Sequence, residues 1–151
     1  MHEILGAIGD RLCVAAAVME RDGKILLGRR HYTADVWKDE AVWTIPGGRC
    51  EAGETIEAAL RRETDEEVGI RTFEIHEFIA DAPCAPGSDA RHLYLFHCTT
   101  QEDAALMEPE KFSEWRWVPI DEYIADMQYT GFNEPAREMI VAFLQKHLAA
   151  R

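Results

Sequence analysis

The chain has 151 residues and a formal net charge of -12. This length predicts one domain, spanning 1–151, that can bury a core without disulfide or metal staples. The charge argues against nonspecific binding to nucleic acid or to an anionic membrane, because the whole protein repels polyanions. A small phosphate-bearing substrate is compatible with the charge, provided that a metal ion and a few arginines reverse the field locally.

The N-terminus and the cysteines both favour a cytoplasmic protein. Residues 1–4 lack the basic start and the apolar core of a secretory signal, and no apolar run is long enough to span a membrane. The four cysteines are scattered without a Cys-x-x-Cys pair, which predicts neither a disulfide framework nor a structural zinc site. We therefore expect them to be reduced and mostly buried.

In chain order, the first predicted elements are two strands of a hairpin. Residues 12–19 form a nearly continuous apolar run, typical of a strand buried on both faces. Asp22-Gly23 supplies the left-handed turn that a hairpin needs, and residues 25–27 form the return strand. A polar loop is expected at residues 31–41. Further strand-like segments are residues 42–45, 70–82, 92–98 and 114–118.

Two segments have helical periodicity. The first begins after Thr55, a good N-cap residue, and ends at Gly69, a suitable C-terminal cap. The second begins near Asn133 and carries an apolar stripe along one face. The residues of that stripe are Met139, Ile140, Phe143, Leu144 and Leu148. Together with the strands, these helices predict an α+β fold in which a mixed sheet lies between helices.

The first helix carries acidic residues where they do not stabilise it. Glu63, Asp65, Glu66 and Glu67 crowd its C-terminal half, where the helix dipole disfavours negative charge. Glu63 and Glu67 are also a like-charge i,i+4 pair, which costs roughly 0.2–0.5 kcal/mol. Glu63, Glu66 and Glu67 share one face, and clustered carboxylates are the ligands that a hard divalent cation prefers. From the helix alone, a merely solvated acidic face is the better interpretation.

The sequence flanking that helix changes the interpretation. From Gly48 the chain continues with five residues, Glu54, seven further residues, and then Arg-Glu-Thr-Asp-Glu-Glu-Val-Gly-Ile at 62–70. This pattern resembles the signature of the Nudix hydrolase superfamily at every fixed position. Thr64 is a soft departure, since an aliphatic residue is usual there, and a small β-branched residue should still pack. Segments that resemble MutT-related members are residues 26–30, 43–48, 107–111, 115–117 and 133–135.

The resemblance implies an α/β/α sandwich and a magnesium-dependent enzyme, in which manganese can substitute. Glu63, Glu66 and Glu67 would bind the metal ion, together with the carbonyl of Gly47. Metal ions neutralise phosphate charge and acidify a water, and a carboxylate near that water can act as general base. Glu66 or Glu67 is the favoured base, with Glu110 as a candidate outside the helix. Glu54 and Arg62 are expected to brace the loop and the helix rather than to contact substrate.

Substrate contacts are predicted outside the signature. Arg30 is expected to contact phosphate, because a guanidinium matches phosphate geometry, whereas Arg29 should point to the opposite face of its strand. Asn133 could read a base edge with its amide, or serve as the N-cap of the last helix, or do both. Aromatic residues that could stack on a base are Trp37, Tyr32 and Phe132, whereas Trp115 and Trp117 are expected in the core.

Three functions are consistent with these residues. The leading hypothesis is a pyrophosphohydrolase that converts nucleoside triphosphates, including non-standard or oxidised ones, into the monophosphate and pyrophosphate. The second is a pyrophosphatase for nucleoside-diphosphate sugars or ADP-ribose, in whose relatives a proline often stands near the position of Pro86. The third, of another class, is a noncatalytic Nudix-fold nucleotide sensor. A monomer and a homodimer are both compatible with the resemblance.

Overall fold

The computed structural model of the chain describes residues 1–31, 42–129, 131 and 133–150. The strands are β1 (Cys13–Arg21), β2 (Lys24–Arg30), β3 (Val42–Thr44), β4 (Gly47–Arg49), β5 (Glu74–Ala82), β6 (His92–Thr99) and β7 (Phe112–Pro119). The helices are α1 (His2–Leu5), α2 (Ile56–Val68), α3 (Ile120–Ala125) and α4 (Glu134–Ala149), with a 3₁₀ turn at Met127–Tyr129. Among the described residues, no helix has the length and apolarity needed to cross a membrane.

Within these residues the strands form one mixed sheet of seven strands. The main path runs β3-β2-β1-β6-β5, with β4 paired to β1 and β7 paired to β2. β1 and β6 run parallel, whereas the other pairs are antiparallel. The predicted hairpin turn between β1 and β2 is confirmed, because Asp22 and Gly23 both have positive φ, 52° and 77°.

The sheet opens between β1 and β2, and this opening positions the candidate site. The two strands are paired next to their turn, at Glu20 with Ile25 and at Arg21 with Lys24. Towards the start of β1 its partner is β4 instead, with Ala16 opposite Gly47 and Val14 opposite Arg49. β2 meanwhile pairs with β3 and β7. A cleft therefore forms where β2 and β4 separate.

Each face of the sheet packs against a different helix. α2 covers one face, where its residues Ile56, Leu60 and Val68 join a core with alternate side chains of β1 such as Ala17 and Met19. α4 covers the other face, where Ile140 and Leu144 pack with Val18 and Leu27. The alternation of β1 side chains between two cores explains its nearly continuous apolar sequence. The predicted α/β/α sandwich with a mixed sheet is thereby confirmed.

The predicted ends of α2 are also confirmed. The Thr55 hydroxyl accepts a hydrogen bond from the Ala58 backbone N–H at 3.1 Å, and Gly69 closes the helix in the left-handed conformation at φ 72°. Thr64 is fully buried, and its hydroxyl donates to the Leu60 carbonyl at 2.6 Å. A threonine therefore fits where an aliphatic residue is usual, because its one polar group is satisfied inside the helix.

The structure differs from some details of the sequence-based expectations. β3 ends at Thr44, close to the predicted end of that strand, but the separate strand β4, which begins at Gly47 and pairs with β1, was not predicted. Met139 is 38% exposed and lies outside the buried stripe of α4. Trp115 and Trp117 are half-buried and pack at the margin of the α2-side core. The cysteines are mostly buried as expected, since only Cys84 is intermediate. Helices α1 and α3 were not predicted, since four and six residues are too few for periodicity to show.

Candidate active site

A cavity of about 620 Å³ occupies the opening between β2 and β4. Five of the residues predicted from the sequence line it, although they come from β2, β4, α2 and the start of α4. These residues are Arg30, Gly47, Glu63, Glu67 and Asn133. The structure therefore brings the predicted metal-binding and substrate-binding groups to one place.

The two glycines of β4 let the helix carboxylates come close to the strand. The Gly47 backbone N–H donates to Oε1 of Glu67 at 3.1 Å. A Cβ at Gly47 would overlap the backbone of Ala15 and Ala16, and a Cβ at Gly48 would overlap the Glu63 carboxylate. Gly47 therefore requires glycine for space, whereas a side chain at Gly48 would force the Glu63 carboxylate to move. The loop sequence Pro-Gly-Gly thus serves the close packing of β4 against β1 and against α2.

Burial makes this carboxylate pair electrostatically costly. Glu67 is 5% exposed, and its burial, together with the charges of Glu108 and Glu63, raises its pKa to about 8, although the Gly47 amide and Arg30 oppose this rise. Burial also raises the pKa of Glu63, against the opposing effect of Arg62. Two acids held so close together and away from water favour a bound cation. Oxygen donors of this kind fit a hard divalent ion such as Mg²⁺.

Arg62 connects the loop before α2 to the acidic face of the helix. It donates two hydrogen bonds to Glu54, at 2.8 and 2.9 Å, and one to the Arg49 carbonyl at 3.0 Å. It also donates to Glu63 at 2.8 Å and to Glu66 at 3.2 Å. These contacts confirm the predicted bracing role of Glu54 and Arg62. Because Arg62 holds one oxygen of Glu63, it orients the other carboxylate oxygen next to Gly48.

Two other predicted carboxylates lie further from the centre. The Glu66 side chain is 55% exposed and pairs with Arg62, and Glu110 is exposed in the turn before β7. An acidic residue of the loop before β7, Glu108, does act on the buried pair. Its side chain is 22% exposed, and its charge raises the pKa of both Glu63 and Glu67. The sequence signal for Glu108 was its place in the segment at 107–111 that resembles MutT-related members. The catalytic roles of Glu66, Glu67 and Glu110 remain predictions.

Two basic residues line the same cavity as the carboxylates. Arg30 and Lys111 line it, and Lys111 pairs with Glu108 at 3.2 Å. Arg29 is exposed and does not line the cavity, so only one of the two neighbouring arginines enters the site, as expected. The pairing of β2 with β7 shifts by one residue between Arg29 and Arg30, and such bulges redirect side chains. The Arg30 guanidinium lies 5.7 Å from the centroid of the Phe112 ring.

Asn133 is the N-cap of α4 and also lines the cavity. Its Oδ1 accepts from the Ala136 backbone N–H at 3.3 Å, and its Nδ2 donates to the Pro83 carbonyl at 2.9 Å. The N-cap alternative is confirmed, while recognition of a base by this residue stays a prediction. The two contacts fix which edge of the amide is presented, which is what selective recognition would require.

Aromatic side chains also line the cavity. Trp43 and Tyr129 pack edge to face with their ring centroids 5.4 Å apart. Arg137 also lines the cavity and donates to the Tyr123 carbonyl at 2.9 Å. Its buried Nε has no hydrogen-bond partner among the described residues. The predicted stacking residues Trp37, Tyr32 and Phe132 lie outside the described residues. Trp43 was missed, although it stands on the strand that leads to Pro46-Gly47-Gly48.

Comparison with known proteins places this geometry in a family. The model of the NUDIX domain matches residues 9–143. The chain is 35% identical to a CTP pyrophosphohydrolase from Escherichia coli (strain K12), over 72% of this chain and 84% of that protein. It is 29% identical to an RNA pyrophosphohydrolase from Cereibacter sphaeroides, over 95% of this chain and 96% of that protein.

A solved structure agrees with the fold. The crystal structure of the MutT protein from Methanosarcina mazei Go1 superposes with a TM-score of 0.69 at 19% identity, covering 92% of this chain and 96% of that chain. The family match spans the strands, the α2 signature and most of α4, which are the elements that line the cavity. The chain therefore belongs to the Nudix family and is a Nudix hydrolase.

Proposed function

We propose that this pyrophosphohydrolase acts on nucleoside triphosphates, including non-standard or oxidised ones, with Mg²⁺ as its metal and Mn²⁺ as a substitute. The observation that carries the proposal is a single cavity whose lining contains two chemically different groups of side chains. One group consists of carboxylates and basic side chains, and the other of aromatic rings with amide and guanidinium donors. A nucleotide has matching parts, with charged phosphates at one end and a flat base at the other.

At the phosphate end, Glu63 and Glu67 would hold the metal ion, with Glu66 and the Gly47 carbonyl as the further predicted ligands. When bound, such an ion neutralises phosphate charge and acidifies a water. Arg30 and Lys111 would bind the outer phosphates, which lowers the charge repulsion that a chain of net charge -12 presents to its substrate.

The reaction is a hydrolysis at phosphorus. A water oxygen forms a new bond to the α-phosphorus, and the anhydride bond to the β-phosphate breaks, which releases nucleoside monophosphate and pyrophosphate. The proton of the water passes to a carboxylate. Glu66, Glu67 and Glu110 are the candidates from the sequence, and we add Glu108 because its charge is felt by both Glu63 and Glu67.

At the base end, Trp43 and Tyr129 would contact the flat face of the base, while Asn133 and Arg137 would meet its edge. Arg137 offers a donor that lacks a partner among the described residues, and ring nitrogens and carbonyl oxygens of bases are acceptors. Cytosine presents such acceptors, and the 35% identical relative is a CTP pyrophosphohydrolase. CTP and its oxidised forms are therefore the first triphosphates to test.

A substrate panel with Mg²⁺ tests the proposal. It contains the standard and oxidised (d)NTPs, ADP-ribose, nucleoside-diphosphate sugars and dinucleoside polyphosphates, with phosphate-containing products identified by chromatography. We expect pyrophosphate and nucleoside monophosphate from at least one triphosphate. Ribose 5-phosphate from ADP-ribose without triphosphate turnover would instead support the second hypothesis, for which Pro86 is the sequence feature. Absence of turnover across the panel, with the Mg²⁺ affinity intact, would support the noncatalytic sensor.

A second substrate class follows from the RNA pyrophosphohydrolase relative, which covers nearly the whole chain. An RNA with a 5′-triphosphate presents the same reacting group as a free nucleotide. The phosphates of its remaining nucleotides, however, are repelled by a protein of net charge -12. We therefore expect free triphosphates to be better substrates. A short 5′-triphosphorylated oligonucleotide, assayed beside the matching free triphosphate at two salt concentrations, separates the two classes by the ratio of kcat/KM values.

A further inference from the structure

A second cluster of metal-binding side chains lies on the α4 face of the sheet. Oε1 of Glu20 lies 2.8 Å from Nε2 of His97 and 2.9 Å from Nε2 of His147. The three residues come from the end of β1, from β6 and from the last turn of α4. Two imidazoles and one carboxylate thus converge on a single point, although Glu20 and His147 are 127 residues apart in the chain.

The cluster is buried at its base and open on one side. The side chains of Glu20 and His97 are 6% and 7% exposed, whereas that of His147 is 26% exposed. All three line a cavity of about 420 Å³ that is also lined by His76, Glu77 and Asp22. A carboxylate this buried is costly unless charge or hydrogen bonds compensate it. The cavity supplies a path from solvent and room for a water or a small ligand.

We propose that Glu20, His97 and His147 form a binding site for a zinc-type divalent ion, separate from the magnesium centre of the hydrolase. Imidazole nitrogens with one carboxylate are donors that Zn²⁺ accepts readily, whereas Mg²⁺ prefers oxygen donors throughout. Three protein ligands leave the fourth tetrahedral position to a water, which the cavity can hold. The ion would join the last turn of α4 to β1 and β6.

The distances fit this assignment after a small adjustment. The ligand atoms lie within 4.8 Å of one another. In a tetrahedral zinc site with bonds of about 2.0–2.1 Å, neighbouring ligand atoms are about 3.3 Å apart. The oxygen-to-nitrogen distances of 2.8 and 2.9 Å would therefore widen by about 0.5 Å. His147 lies in the last turn of α4 and is partly exposed, so its side chain can move by this amount.

The cluster is distant from the hydrolase centre. Glu20 is four residues along β1 from Ala16, the partner of Gly47, which corresponds to roughly 13 Å at 3.3 Å per residue. His147 lies 14 residues along α4 from Asn133, about 21 Å at 1.5 Å per residue. The acids around the cluster, Glu77 and Asp22, add negative charge that favours a cation there. No residue of the cluster lines the larger cavity at Gly47.

Co²⁺ titration of metal-stripped protein tests the proposal, because Co²⁺ takes the place of Zn²⁺ and its visible absorption reports coordination by histidine. The titration uses the Glu67→Gln variant in excess Mg²⁺, so that binding at the hydrolase centre is suppressed. We expect one Co²⁺ per chain with tetrahedral-type absorption, displaced by Zn²⁺. Adding His147→Gln to this variant should abolish the binding of that Co²⁺ ion. Adding Glu20→Gln instead should weaken the Co²⁺ affinity at least tenfold.

The matched control is His92→Gln, which removes a histidine paired with Asp81 at the same 2.8 Å distance on the surface. It should leave Co²⁺ binding unchanged. His147→Gln alone should keep the wild-type Mg²⁺-dependent turnover, and circular dichroism verifies that it is folded. In excess Mg²⁺, Zn²⁺ should raise the Tm of the Glu67→Gln protein but not that of the Glu67→Gln/His147→Gln double variant. If the Co²⁺ spectrum is absent, or persists unchanged in His147→Gln, the cluster is a hydrogen-bonded clamp for α4 and the proposal is wrong.

Discussion

Gly47 donates its backbone N–H to the carboxylate of Glu67 across 3.1 Å, and this bond ties the last turn of α2 to the strand beside the cavity. The bond holds Glu67 in a fixed orientation although the residue is buried and carries one of the most costly charges of the site. The hydrogen bond engages Oε1 and leaves the other carboxylate oxygen of Glu67 for a cation. Substitutions that keep this hydrogen bond but remove the carboxylate charge should therefore reduce activity without unfolding the protein.

Glu67→Gln should lower kcat by about 10²–10⁴-fold, since an amide is a poor ligand for a hard cation and a poor base. The amide oxygen can still accept the Gly47 N–H, so the fold should be kept. Glu57→Gln is the matched control, because Glu57 lies on the same helix and pairs with Arg61 away from the cavity. Pyrophosphate release with the best substrate measures both variants. Equal rates for the two would contradict the assignment.

Gly48→Ala should impair metal binding by steric overlap, because it changes no charged or metal-binding group. The added Cβ would overlap the Glu63 carboxylate, which must then move away from the strand. We expect weaker Mg²⁺ binding, a lower kcat and a loss of about 1–3 kcal/mol in the free energy of unfolding. Gly6→Ala is the control, because a Cβ there comes no closer than 3.4 Å to any neighbouring atom. Mg²⁺ titration and urea unfolding compare the two variants. If Gly48→Ala and Gly6→Ala have the same Mg²⁺ affinity and the same free energy of unfolding, the predicted clash with Glu63 is wrong.

Mg²⁺ should stabilise the folded chain through the same carboxylates. A ligand that binds only the native state adds RT ln(1 + [L]/Kd), which is about 2.7 kcal/mol at 100 times the Kd. The Tm of the wild type should therefore rise with Mg²⁺ concentration, and that of Glu67→Gln should not. Chelation of the metal should abolish turnover in a manner that added Mg²⁺ reverses. An equal Tm rise in both proteins would place the stabilising ion elsewhere.

Arg30→Ala should raise KM for the triphosphate about tenfold or more, since a charged hydrogen bond to phosphate contributes about 1.5–3 kcal/mol. Arg29→Ala removes a neighbouring, exposed guanidinium that does not line the cavity, and it should leave KM nearly unchanged. Steady-state kinetics at two ionic strengths compare them, because a purely long-range charge effect would be equal in both. A KM that rises equally in the two variants would exclude a direct contact by Arg30.

Glu54 should give the protein a specific acid sensitivity. The hydrogen bonds from Arg62 lower the pKa of Glu54 below its ordinary value of 4.5. The folded state therefore binds this proton less readily than the unfolded state. The resulting stability is fully present above pH 4.5 and is lost as the pH falls through the lower pKa of the folded state.

Glu54→Gln should remove that part of the pH dependence. The free energy of unfolding, measured by urea between neutral pH and pH 3, should fall less steeply in the variant than in the wild type. Glu51→Gln is a suitable control, because Glu51 pairs with Arg11 on the surface with both side chains 59% exposed. Parallel pH curves for wild type and Glu54→Gln would show that the Arg62 contact does not stabilise the folded carboxylate.

The sequence predicted the parts of the site that depend on local spacing. Residues Glu63 and Glu67 share a helix face by the geometry of the helix itself, and Thr55 and Gly69 define the helix ends through bonds to residues within a few positions. Strand alternation likewise predicted that only one of Arg29 and Arg30 would enter the site, and of the two only Arg30 lines the cavity. These inferences needed no knowledge of the rest of the chain, because each follows from the repeat of one element.

The tertiary structure decided what depends on residues far apart in the chain. The sequence predicted the strand that ends before Pro46, but not β4, which begins at Gly47 and forms by pairing with β1. Glu108 acts on Glu67 from a distant loop, and Glu20 contacts His97 and His147. These residues are too far apart in the chain for helix or strand periodicity to predict their contact. Such contacts form only when the sheet and both helices are assembled, because the burial that brings them together is a property of the whole fold.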